Sequence, residues 1–79
     1  MGKPIYRVMI DFGFKKKGSV RRFVSGQIDT FVNTKDEEEI KKDKDILRKI
    51  AREVNRKLEQ IEIRFDKVYI EGQYGETSY

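Results

Sequence analysis

TKDEEEIKKDKDILRKIAREVNRKLEQ, residues 34–60, is the stretch whose reading decides the fold. Thr34 stands three residues before Glu37. That is the spacing of a capping box, in which hydroxyl and carboxylate each satisfy an orphan backbone donor. Asp36, Glu37, Glu38 and Glu39 make the first turn acidic and Lys and Arg fill the remainder, the charge order a helix dipole favours. At about 100° per residue, Ile40, Leu47, Ile50, Ala51, Val54, Leu58 and Ile61 fall within about 60° of Leu47 on either side. No Gly or Pro interrupts the run. The pattern predicts one long amphipathic helix with a single face to bury.

The segment before it predicts the surface that helix covers. From Pro4 to Lys15, Tyr6, Val8, Ile10, Phe12 and Phe14 alternate with Arg7, Met9, Asp11, Gly13 and Lys15. Strict period two over this length is a strand with one buried face. Pro4 is tolerated because it begins the strand. Lys15, Lys16, Lys17 and Gly18 then make a basic turn, with Gly supplying the unusual dihedral.

Ser19–Asn33 is strand-like but less regular. Val20, Val24, Ile28 and Val32 share one phase, and Arg21, Phe23, Ser25, Gln27, Asp29 and Phe31 the other. Ser25-Gly26 marks either a bulge in one long strand or a tight turn between two short ones. A bulge is favoured, since a turn orphans the far end of the first strand. Beyond the helix, Ile61–Glu71 reads as a third strand whose apolar phase changes at Asp66-Lys67, the mark of another bulge or of departure from the core. Residues 72–79 lack periodicity and read as a flexible C-terminal tail after a domain of residues 1–71.

The expected fold is therefore a single two-layer α+β domain in β-β-α-β order. The first strand is central, the antiparallel sheet has order 2-1-3, and the helix crosses one face as a right-handed connection. A helix of about 25 residues spans roughly 37 Å and a strand of about 11 residues roughly 36 Å, so the helix is expected to run the sheet's length.

Composition narrows the function. The 79 residues contain no His and no Cys. The commonest general base and the commonest nucleophile are absent, as are thiolate metal sites and disulfides. The glycines match no phosphate-cradling motif. The acidic run 36–39 suits a first helical turn better than a cation site, which needs an oxygen-rich loop. The reading is of a protein that is no enzyme, with no cofactor and no metal. No apolar run approaches a membrane span and the N-terminus lacks the layout of a signal peptide, so a cytoplasmic protein away from membranes is expected.

The net charge of +4 is unevenly placed: residues 1–35 hold eight basic and two acidic side chains, residues 36–60 eight of each, and residues 61–79 two basic and four acidic. An electrostatic partner is thus expected at the N-terminal hairpin. Lys15, Lys16, Lys17, Arg21 and Arg22 surround its tip with no acid between them, and Arg7 and Lys35 are further candidates. A charge run is ordinarily a solvated face that discourages edge pairing. Five cations without a carboxylate also make a finger that tracks phosphates, and the leading expectation is a small nucleic-acid-binding module contacting DNA or RNA there.

The alternative is a small protein-binding regulator or inhibitor, of the kind phages and mobile elements carry. It docks a partner, or a second copy as a homodimer, through the open sheet face or a sheet edge. Met9, Phe23 and Phe31 are its candidate contacts, lying among Arg7, Arg21 and Gln27; aromatics interleaved with Arg also suit single-strand stacking. On the helix, Glu37–Lys41, Glu38–Lys42, Asp45–Lys49 and Glu53–Lys57 have i,i+4 spacing and suit a solvated surface. Arg48, Arg52 and Arg56 are left as an uncompensated row.

Overall fold

In the computed structural model, which describes residues 3–76, strand β1 (Pro4–Lys16) is the centre of the molecule. It pairs antiparallel with β2 (Val24–Val32) on one side and with β3 (Ile61–Glu76) on the other, giving sheet order β2-β1-β3. Between β2 and β3 the chain forms helices α1 (Glu37–Lys42) and α2 (Lys44–Glu53) and a 3₁₀ turn at Leu58–Gln60. This is the expected two-layer α+β domain, with its helical layer on one face.

The alternation in β1 decides which face that is. Val8, Ile10 and Phe12 are fully buried, joined by Ile28 and Val32 from β2 and by Ile40, Ile46, Ile50 and Ala51 from the helices. Tyr6, Phe14, Val54, Ile63, Phe65, Val68 and Ile70 pack around that core, partly exposed. In β3 the change of phase at Asp66 is a bulge. Phe12 pairs with Phe65, while Asp11 pairs with Lys67, so one residue of β3 is left over between them. The extra residue keeps Ile61, Ile63, Phe65, Val68 and Ile70 on one face although their spacing changes. Two further register shifts follow, and β3 continues past Glu71 to Glu76, opposite Pro4. Residues 77–79 lie outside the described part.

The helical stretch is shorter and more divided than its charge pattern predicts. Its N-cap is Asp36, whose carboxylate accepts from the Glu38 N–H at 3.0 Å. Thr34, expected in that role, instead accepts from the Asp36 N–H at 3.0 Å. At Asp43 the backbone is extended, and this one residue ends α1 and caps α2 through the Asp45 N–H at 2.8 Å. Asp is a favoured N-cap, so it offers the backbone a second helix start.

The break changes which residues face inward. In an unbroken helix Ile46 stands about 120° from Ile40 and Leu47 stands close to it. Across the interruption Ile46 is buried and Leu47 is only half-buried, which corrects the stripe read from the sequence. Ion pairs on this surface form at i,i+3, Glu38 with Lys41 at 4.0 Å and Asp45 with Arg48 at 3.1 Å, rather than at i,i+4.

α2 stops well short of Gln60. Asn55 adopts φ +57, the Arg56 N–H reaches the Ala51 carbonyl at 2.9 Å, and the Asn55 N–H reaches Arg52 at 3.1 Å. These two bonds and a left-handed residue form a Schellman cap, in which Asn substitutes for the usual Gly. The helices therefore leave the hairpin end of the sheet uncovered.

Between β1 and β2 the ladder runs without a register shift from Phe14↔Val24 to Tyr6↔Val32. The expected bulge at Ser25-Gly26 is absent, and β2 is a single strand that begins at Val24 after a loop over residues 17–23.

Candidate functional site

The hairpin loop is held in place from both sides of the sheet. The Ser19 N–H bonds the Lys16 carbonyl at 3.0 Å, closing a turn in which Gly18 has φ +78. An L side chain is strained there, and Gly is not. The Lys17 N–H bonds the Gln60 carbonyl at 2.9 Å, tying the loop to the 3₁₀ turn that leads into β3. At the loop's end Phe23 lies against Gly13. A Cβ at Gly13 would stand 3.0 Å from the Cβ of Phe23, so the absent side chain makes room for the ring. The Lys15 ammonium sits 4.9 Å from that ring's centroid and the Arg64 guanidinium 4.5 Å. Two cations over one aromatic ring fasten the loop to the face opposite the helices.

On the helix side, the short α2 exposes the sheet's apolar end. A cleft of about 690 Å³ opens there, lined by Phe14, Val24 and Ile61 together with Lys15, Lys16, Lys17, Arg21, Arg22 and Arg56. Ser19 and Gln60 also line it, and among the described residues no carboxylate does. Val24 is 56% exposed although it continues the core phase of β2. The Schellman cap at Asn55 is what turns Arg56 off the helical row and toward the loop.

The five cations expected at the hairpin tip thus converge, but they are not equivalent. Lys15 donates to the Ser19 carbonyl at 3.0 Å, approaches Glu62 at 3.9 Å and stacks on Phe23, with its side chain only 20% exposed. It is part of the scaffold. Lys16, Lys17, Arg21 and Arg22 are exposed, and among the described residues their side chains and that of Arg56 have no hydrogen-bond or ion-pair partner.

Arg7 stands elsewhere. It lies eight residues from Lys15 along β1, roughly 27 Å away at strand rise, and pairs with Glu71 at 3.0 Å and Asp29 at 3.8 Å. Lys35 covers the Tyr6 ring at 5.3 Å, at that same far end. Arg48 is occupied by Asp45, so of the helical arginine row Arg56 alone joins the cleft. Sequence reading placed Arg56 on the helix surface. The signal that relocates it is Asn55, a residue that tolerates the left-handed conformation.

The three candidates for a partner interface separate as well. Met9 is half-buried at mid-sheet, paired with Asp29 and Tyr69; Phe31, 54% exposed, is opposite Arg7; Phe23 is at the hairpin end. Gln27 donates to Asp11 at 2.7 Å between the two phenylalanines. Tyr69, 41% exposed, is a neighbour of Met9 that sequence reading passed over. The acidic run 36–39 forms the N-cap and first turn of α1, and among the described residues no group of three His, Cys, Asp or Glu is arranged to hold a metal ion. No helix among them is long and apolar enough to cross a membrane.

Comparison with family models, with curated proteins and with solved structures gives no match to this chain.

Proposed function

We propose that the chain is a small, non-enzymatic, cytoplasmic nucleic-acid-binding protein that holds backbone phosphates at the hairpin end of its sheet. One observation carries this reading: six basic side chains line a single cleft that has no carboxylate in its lining among the described residues. Five of them face it without a partner among the described residues. Like charges gathered at one end of a small domain repel one another and cost stability, and a polyanion turns that cost into affinity. The loop that carries Lys17, Arg21 and Arg22 is fixed before binding, by the Lys17–Gln60 bond and by the Phe23 contacts, so little ordering entropy is lost.

The test is a fluorescence anisotropy titration at several salt concentrations. Five phosphate contacts give a log–log salt slope of about −4.5 on duplex DNA and about −3.5 on single strands. Absence of binding to duplex DNA, single-stranded DNA and single-stranded RNA at low salt would overturn the reading.

A second reading rests on the opposite face. Phe31 and Tyr69 are exposed there on either side of Met9, and an apolar group on an otherwise charged surface suits a protein partner or a second copy. It expects Phe31→Ser with Tyr69→Ser to keep the fold and weaken self-association or partner binding, measured by sedimentation and pull-down.

A further inference from the structure

The cleft is more than a cluster of charges. Its basic rim surrounds an apolar wall, and the wall includes an aromatic ring. Phe14 and Val24 are paired across the β1–β2 ladder, Ile61 begins β3 beside Lys16, and all three line the cleft. The exposed Val24 and the Phe14 ring thus share one lining with the cations.

From this wall we infer that the cleft takes a single strand rather than a duplex, seating one unstacked nucleotide against Phe14 and Val24 while the flanking phosphates meet Lys16, Lys17, Arg21 and Arg56. The inference rests on the nucleic-acid reading above. At about 690 Å³ the cleft is the size of a small-molecule site, so a duplex meets its cations from outside whereas a single base can be seated within it. A duplex keeps its base faces in the stack, whereas a single strand offers them to aromatic and apolar side chains. Charge alone favours the opposite preference. Duplex DNA has the greater charge density and releases about 0.9 counterions per contact, against about 0.7 for single strands. A preference for single strands therefore reports the apolar wall and not the cations.

The experiment measures anisotropy of labelled single-stranded DNA, single-stranded RNA and duplex DNA of equal length at one salt concentration. It uses the full chain and the variants Phe14→Leu and Val24→Ser. The expected result is binding of one or both single strands at least tenfold tighter than the duplex, the order of effect that stacking a base supplies. The DNA and RNA arms then identify which strand is preferred. Phe14→Leu keeps an apolar side chain but removes the ring, and should reduce the preference severalfold by weakening the single-strand arms. Val24 is largely exposed, so Val24→Ser should retain the fold and supply the same test if Phe14→Leu melts early. Duplex binding as tight as single-strand binding overturns this inference and leaves the proposed function standing. No binding to any of the three overturns both. A single-strand preference that neither variant changes moves the nucleotide out of this cleft and overturns the assignment.

Discussion

The ring of Phe12 lies directly over Gly26, its paired residue on β2, so closely that a Cβ at Gly26 would stand 2.5 Å from the ring's Cζ. Gly26 is thus neither a bulge nor a turn residue. It leaves the space that the far end of the largest buried side chain fills. Gly26→Ala should destabilise by about 1–3 kcal/mol, the ordinary cost of overpacking. Urea denaturation measures it. The cost should shrink in a Phe12→Leu background, because the two positions share one volume and cannot be additive.

The interruption at Asp43 makes Ile50, not Leu47, the sensitive residue of the helical layer. Ile50 is fully buried and Leu47 half-buried. Ile50→Ala should cost about 2–5 kcal/mol, and Leu47→Ala less than half as much. Equal losses in thermal or chemical melts would restore the single stripe centred on Leu47.

Asn55 ends α2 and aims Arg56. Asn55→Gly should be neutral or mildly stabilising, since Gly is the usual occupant of a left-handed cap. Asn55→Val places a β-branched residue at φ +57 and should cost about 1–2 kcal/mol. It should also weaken nucleic-acid binding by displacing Arg56 from the cleft. Circular dichroism and anisotropy report the two effects separately.

The cations named from sequence should divide by position. Lys17→Gln should reduce the magnitude of the salt slope by about 0.7–0.9, one contact's worth. Arg7→Gln should leave the slope unchanged, because Arg7 lies at the other end of β1 and is paired with Glu71 and Asp29. Lys15→Gln should lower the melting temperature more than it alters the slope, since that ammonium bonds Ser19 and stacks on Phe23. A slope that responds equally to all three would mean diffuse attraction without a cleft.

Much of the architecture was legible in the residues themselves. Strict alternation from Tyr6 to Phe14 determines a strand with one buried face, because side chains leave a pleated backbone on alternate sides. Its regularity makes it the central strand. The phase change at Asp66 announces a bulge or a departure from the core, between which only the pairing with β1 decides. The basic run ending in Gly18 announces a turn. These are properties of neighbouring residues, and the chain carries them locally.

Other features depend on partners distant in sequence. Local pattern cannot distinguish a Gly that bends a strand from one that yields space, and Gly26 is explained only once Phe12 lies across from it. A continuous charge pattern does not reveal that Asp43 restarts the helix, because caps compete with helix propagation and packing of Ile46 and Ile40 decides between them. The cleft is the clearest case. Strand pairing brings Phe14, Val24 and Ile61 together, and the Schellman cap at Asn55 adds Arg56 and ends the helix before it can cover the hairpin end of the sheet. The cations were visible in the sequence, but the apolar wall they surround exists only where the helical layer stops short.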